Sequence, residues 1–191
     1  MKSNDMKKSL IILMLSVLAM CLPAQAEHLK FMGIPLTGTI TQFQNKLAAK
    51  GVAYDKKASA VAAVGTRIFN GKFAGSKAEI VVWYDADTKI VYGAKAVYEC
   101  FTTNTRDNKY DELKSMLSTK YSEESSEEGY KDGLENYTLK VTDDYGYSLL
   151  GIISLYRTQG LFPYDDSYYV HVEYLDAENY NKNQNSMMND L

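Results

Sequence analysis

The spacing of hydrophobic residues along the chain switches twice between a helical period and a strand-like period. The first helical stretch predicts a helix from Ile40 to Lys50, with Thr39 as N-cap, Gln42 completing a capping box and Gly51 supplying the stop. The buried stripe of this helix is predicted to consist of Ile40, Phe43 and Leu47.

Strand-like segments follow this helix, and the short polar or glycine-containing stretches at 75–76 and 85–88 are typical of turns. The pattern therefore predicts a three-stranded antiparallel meander. Its strands are expected at about Thr66 to Ala74, Lys77 to Tyr84 and Lys89 to Phe101.

The second half of the chain repeats this order. Asp107 or Asn108 is a suitable cap for a second helix, and the segment from Ser122 to Gly129 is predicted to be a solvated loop, with an acidic docking segment as the alternative. The buried stripe of the second helix is expected at Tyr110, Leu113, Leu117 and Tyr121. Three more strands are expected at about Asn136 to Thr142, Tyr147 to Arg157 and Ser167 to Leu175.

The element order indicates an α+β fold in which a helix and a three-stranded antiparallel meander are used twice, at about 36–101 and 107–176. The strands are expected to form one sheet or two adjoining sheets, with both helices on one face. Residues 147–156 are apolar on both faces, which is typical of an interior strand. The domain is predicted to span 27–178, and the tail 179–191, which lacks periodicity, to be disordered.

The N-terminus has the pattern of a signal peptide. Lysines precede a 13-residue apolar run from Leu10 to Leu22, and Ala24-Gln25-Ala26 is a small-x-small cleavage site. A membrane-spanning helix needs about 20 residues, so we expect cleavage after residue 26 and no transmembrane segment afterwards. The mature protein is predicted to be periplasmic or extracellular. Acylation at Cys21, giving a lipoprotein, is the alternative, although Met20 is large for the residue before a lipidated cysteine.

Charge and cysteine usage narrow the function classes. Removing residues 1–26 leaves 18 basic and 23 acidic side chains, a formal charge of −5. The mature chain has no basic cluster that would neutralise phosphates, so nucleic acid is not an expected partner. Cys100 is then the single cysteine, and strand parity places it with Ala94, Ala96 and Tyr98 on a core-facing side, which indicates a buried thiol rather than a nucleophile.

The sequence does not position a set of catalytic residues near one another. His28 is expected to lie in frayed chain, whereas His171 shares the polar face of the last strand with Tyr169 and Glu173. His171 oriented by Glu173 is the candidate general base of a hydrolase, but no serine or cysteine is positioned as its nucleophile. The paired aspartates fall in turns, where they bond nearby backbone. We predict no catalytic residues, no metal site and no cofactor.

Tyrosine is unusually frequent, with 16 in the mature chain, and this residue is favoured at recognition surfaces. Trp83 falls on the more polar face of its strand, and the loop 161–166 carries Phe162 and Tyr164 where turns are normally polar. The sequence therefore favours a non-enzymatic recognition module of the cell envelope that binds a protein or glycan through an exposed sheet face or loop. A secreted hydrolase is the alternative. The candidate binding residues are Trp83, Phe162, Tyr164, Tyr169, His171 and Glu173.

Three segments carry a resemblance to known sequences, namely 69–75 (Phe-Asn-Gly-Lys-Phe-Ala-Gly), 110–121 and 172–179. They are similar to small exported proteins of gut-dwelling Gram-negative anaerobes, over most of the mature chain. No activity is established for that group, so the resemblance implies an exported domain and leaves its function open. The order of helix and meander also resembles the beta-lactamase-inhibitor-protein-like fold, which implies an architecture only.

Overall fold

Eight strands form one antiparallel sheet in the computed structural model, which describes residues 27–121, 126–131, 134–160 and 167–189. The proposed signal peptide, 1–26, lies outside the described residues. The helices are α1 (Ile40–Ala49), α2 (Lys56–Val61), α3 (Thr103–Lys120) and α4 (Ala177–Asn189). The sheet contains β3 (Ala53–Tyr54), β4 (Thr66–Phe73), β5 (Ser76–Tyr84), β6 (Val91–Cys100), β7 (Ser126–Lys131), β8 (Leu134–Thr142), β9 (Leu149–Gln159) and β10 (Tyr168–Asp176). A small separate hairpin consists of β1 (Lys30–Phe31) and β2 (Ile34–Pro35).

The strand order is β3-β4-β5-β6-β10-β9-β8-β7. The two predicted meanders, β4-β5-β6 and β8-β9-β10, therefore meet through their last strands, which pair from Gly93 with Leu175 to Cys100 with Tyr168. The α+β class and the repeated helix-and-meander order are confirmed, and the two halves share one sheet. β3 and β7 are additional edge strands, and β9 is an interior strand, as its two apolar faces predicted.

Alternation along the strands gives the sheet an inner and an outer face. The inner face is packed with apolar side chains, and α1 and α3 contribute to the same core through Phe43, Leu47, Leu113 and Leu117. Cys100 belongs to this core, as predicted, and burial raises the pKa of its thiol. Residues on the inner face include Phe69, Ile80, Val82, Ala94, Ala96, Val170, Val172, Ile153, Leu155 and Leu139.

The start of α1 is as predicted. The Thr39 hydroxyl accepts the Gln42 backbone N–H, and the Gln42 side chain accepts the Thr39 N–H, so two backbone donors that the helix leaves unpaired are satisfied. Gly51 follows the helix at φ 79°, a left-handed conformation that favours glycine.

The start of α3 was predicted wrongly. The helix begins at Thr103, and Thr102 is its N-cap, bonded to the backbone N–H of Thr105. Asp107 instead accepts hydrogen bonds from Arg106 (2.8 Å) and Arg157 (3.0 Å). These arginines, Arg106 first, lower the pKa of the Asp107 carboxyl. The Asp107 side chain, which the local pattern predicted to cap the helix, therefore forms ion pairs instead.

The acidic stretch was also predicted wrongly where it is described. Residues 126–129 belong to β7, an edge strand that pairs with β8, and 122–125 lie outside the described residues. The charges suit this place, because Glu127 pairs with Lys140 at 2.5 Å and Glu128 with Lys114 at 2.6 Å. Charged side chains on an edge strand also discourage pairing with a second chain.

The tail predicted to be disordered forms α4, through residue 189. Its first turn is capped by Asp176, whose carboxylate accepts the Asn179 backbone N–H at 3.0 Å. The Asn179 side chain donates to the Leu36 carbonyl, and Asn183 donates to Asp85. His28, expected to be frayed, contacts the Asp176 carboxylate at 3.1 Å. Polar contacts thus hold α4 on the domain, and they support the segment at 28–29, where Leu29 is also buried in the core.

Within the described ranges, no helix has both the length and the apolar character needed to cross a membrane.

Candidate functional site

The outer face of the sheet carries four of the six candidate residues, and the strand register fixes their positions. One row across β5, β6, β10 and β9 consists of Trp83, Gly93, Leu175 and Ile152. The next row is Val81, Lys95, Glu173 and Ser154, and the third is Glu79, Val97, His171 and Tyr156. Most of these side chains are half-buried, so they pack against one another while one side of each meets solvent.

His171 is the centre of an aromatic and polar cluster. Its imidazole stacks on the Tyr156 ring, with centroids 4.7 Å apart and planes 13° from parallel. His171 Nε2 lies 2.8 Å from the Thr158 hydroxyl, and the Tyr169 ring lies 6.2 Å from the imidazole, centroid to centroid. The Tyr156 hydroxyl donates to Glu173 Oε2 at 3.1 Å. Burial, together with the Glu173 carboxylate, raises the pKa of Tyr156 above its ordinary value.

Trp83 lies in a separate part of the same face. It is half-buried, and its indole packs over Gly93, where an added Cβ would lie only 2.9 Å from Trp83 Cε3. The Lys95 ammonium lies 5.4 Å from the centre of the ring, a cation–π distance. A Lys95 ammonium therefore covers one face of the indole.

Strand parity predicted part of this arrangement. Tyr169, His171 and Glu173 share the outer face, and Trp83 lies on that face two rows away from His171. Phe162 and Tyr164 lie outside the described residues, so the loop hypothesis stays a prediction. Parity alone missed the cross-strand partners Tyr156, Thr158 and Lys95, because which strands become neighbours is a property of the topology.

The contacts of His171 bear on the hydrolase alternative. The Thr158 hydroxyl is within hydrogen-bond distance of the imidazole, as a nucleophile would need to be. The carboxylate of Glu173, however, accepts from Tyr156 rather than orienting the imidazole in the bonds described. The β10 backbone around His171 is paired with β6 on one side and with β9 on the other. Its N–H groups therefore already donate to neighbouring strands, whereas an oxyanion hole needs N–H groups that can donate to the substrate.

Two aspartates that the sequence places in turns have structural partners. Asp85 accepts the backbone N–H groups of Asp87 and Thr88, and the Asp143 carboxylate accepts those of Tyr145 and Tyr147, so both aspartates close turns as predicted. In the part of the chain that the structure describes, no group of three or more His, Cys, Asp or Glu side chains is placed to hold a metal ion.

The chain was compared with known protein families, with curated proteins and with solved structures, and none of the three comparisons found a match.

Proposed function

We propose that this domain is an exported recognition module of the cell envelope that binds a protein partner through the outer face of its sheet. The observation that carries the proposal is the fixed arrangement of aromatic and charged side chains across β5, β6, β10 and β9. Tyrosine and tryptophan are among the residue types enriched at protein interfaces.

Preorganisation supports binding by this face. The Tyr156–His171 stack, the bond from Tyr156 to Glu173 and the Lys95 contact on Trp83 already restrict these side chains before a partner arrives. Immobilising a long side chain on association costs roughly 0.5–1.5 kcal/mol. A surface whose side chains are already held loses less of that free energy on binding.

The same contacts favour a protein over a glycan. A sugar ring stacks on the flat face of an aromatic side chain. Here Tyr156 and His171 cover each other, and Lys95 lies over the Trp83 ring. The outer face combines aromatic rings, hydroxyl groups and charges of both signs, which match a mixed polar and aromatic protein surface better.

The test is an affinity capture from envelope material with the mature domain, starting at Glu27, as bait. Wild-type bait is compared with Tyr169→Ala and Lys95→Ala, each confirmed to be folded by circular dichroism. Tyr145→Ala and Lys46→Ala are the matched controls, since Tyr145 is 81% exposed in the β8–β9 turn and Lys46 is exposed on α1.

We expect at least one protein that wild-type and control baits retain and that both outer-face variants lose. If every captured protein binds all five baits equally, the outer face is not the binding surface. Binding on a glycan array that is lost in Trp83→Ala would replace the protein partner with a glycan.

Export is tested separately, by mass spectrometry of the native N-terminus. A chain that begins at Glu27 supports a soluble envelope protein. A lipid-modified Cys21 would instead place the domain on a membrane surface.

A further inference from the structure

A second candidate site lies on the opposite side of the sheet, between the two helices that cover it. There a cavity of about 530 Å³ opens beside α3. Its floor is formed by Val172 and Tyr174 on the inner face of β10, and one end by Phe73 and Ala74 at the β4–β5 turn. This volume is within the roughly 300–1,000 Å³ of typical small-molecule sites.

One stripe of α3 forms a wall of the cavity. Leu113, Met116, Leu117 and Lys120 all line it, and their spacing is that of successive turns on a single helix face. Leu113 and Leu117 are buried in the core, whereas Met116 remains 47% exposed. The apolar stripe of α3 therefore contributes both to the buried core and, through the exposed side of Met116, to the wall of the cavity.

The other wall comes from the N-terminal part of the domain. Met32, in the turn of the β1–β2 hairpin, has a φ of 53°, and its side chain packs against the core. Lys50, at the C-terminus of α1, also lines the cavity. Methionine side chains on both walls suit a flexible apolar ligand, because methionine adapts its shape to irregular contacts.

Charge distinguishes the opening of the cavity from its interior. Lys50 and Lys120 line it and are exposed, so they mark where it meets solvent. Among the described residues, neither lysine forms an ion pair with a carboxylate. The Lys120 ammonium lies 5.0 Å from the centre of the Tyr121 ring, a contact that leaves its charge without a carboxylate partner among the described residues. An apolar interior with two such ammonium groups at its mouth is complementary to a molecule with an apolar chain and an anionic head.

We propose that this cavity binds a single-chain anionic amphiphile of the fatty-acid type, with its alkyl chain between Met116 and Val172 and its carboxylate at Lys50 and Lys120. This inference goes beyond the outer-face function. It concerns the other side of the sheet and does not depend on the protein partner.

The test is isothermal titration calorimetry of the mature domain with decanoate and laurate below their micellar concentrations, and with 1-decanol as the uncharged analogue. One added methylene buried in an apolar site improves affinity about fourfold, so laurate is expected to bind about fifteenfold more tightly than decanoate. 1-Decanol is expected to bind more weakly than decanoate, because it lacks the carboxylate.

Variants locate the site. Lys50→Gln with Lys120→Gln should reduce the affinity for decanoate at least threefold and leave that for 1-decanol unchanged. Lys46→Gln with Lys57→Gln removes the same charge from exposed positions outside the cavity and should bind like wild type. Met116→Glu places a carboxylate against the chain at a position tolerant of polar groups and should weaken laurate binding at least tenfold.

Three results would overturn the proposal. The first is no measurable binding of decanoate or laurate by the folded wild-type domain. The second is equal affinity of wild type and the Lys50/Lys120 variant for decanoate, and the third is laurate binding that Met116→Glu leaves unchanged. None of these results bears on the capture experiment with Tyr169→Ala and Lys95→Ala, so the two proposals fail independently.

Discussion

Replacing Asp176 by alanine should destabilise the whole domain, because this carboxylate joins the segment at Leu29 and the start of α4 to the sheet. Its side chain is only 1% exposed. One oxygen accepts the Leu29 backbone N–H at 3.0 Å, and the other accepts the Asn179 N–H at the start of α4, also at 3.0 Å. His28 Nδ1 lies 3.1 Å from both oxygens.

The magnitude follows from these partners. Loss of a helix N-cap costs about 1 kcal/mol, and a buried backbone N–H left without an acceptor costs about 1–3 kcal/mol. The free energy of unfolding of Asp176→Ala should therefore fall by about 2–4 kcal/mol. Asp176→Asn keeps an oxygen for capping α4, so its loss should be smaller.

Urea unfolding followed by circular dichroism measures the change, with the denaturant slope m checked for constancy. Glu178→Ala is the control. Glu178 is 42% exposed and pairs with Lys182 on the surface of α4, so its loss should cost less than about 1 kcal/mol. An Asp176→Ala variant within about 1 kcal/mol of wild type would refute the argument, because the buried donors would then have found other acceptors.

Three further changes test separate parts of the fold. Gly151→Ala should destabilise by about 1–3 kcal/mol or more in the same urea assay, because the added Cβ would lie 2.2 Å from the Leu175 carbonyl oxygen; wild-type stability would contradict the tight β9–β10 contact. Thr102→Ala should lower the free energy of unfolding by about 0.5–2 kcal/mol, because the helix loses its N-cap. An unchanged stability would mean that a later residue caps the helix. The Thr88 N–H is the largest cause that lowers the pKa of Asp85. The ionised Asp85 carboxylate therefore stabilises the fold above the ordinary aspartate pKa, and this stabilisation is lost as the pH falls through the lowered pKa of the folded state. The difference in the free energy of unfolding between wild type and Asp85→Asn should therefore shrink below about pH 4. A pH-independent difference would argue against it.

Local signals predicted the parts of the fold that depend on neighbours in sequence. Thr39 and Gln42 are three residues apart, so their capping box was visible in the sequence and is present in the structure. Asp107 was wrongly predicted to be a helix cap, because its partner Arg157 is 50 residues away and a local pattern cannot show such a contact. The helix at the C-terminus was missed for the same reason, since Asn179 finds its partner, the carbonyl of Leu36, 143 residues away.

The candidate sites divide in the same way. Strand parity was enough to place Tyr169, His171 and Glu173 on one face. It did not show that Tyr156 would stack on His171, because that contact depends on β9 lying beside β10. The cavity beside α3 had no sequence signal, because Leu113 and Met116 fit the stripe of any helix packed on a core, and the gap exists only in the assembled fold.

The pairing of β6 with β10 sets an order of assembly. The chain is made from its N-terminus, so β6 is complete well before the strand that will cover its edge. Until residues 168–175 emerge, the N-terminal meander presents the hydrogen-bonding edge of 93–100, which later becomes the middle of the sheet. Closing this long-range contact slows folding and prolongs exposure to aggregation. The newly made chain is thus open to unwanted pairing at a strand edge that the finished molecule buries inside its sheet.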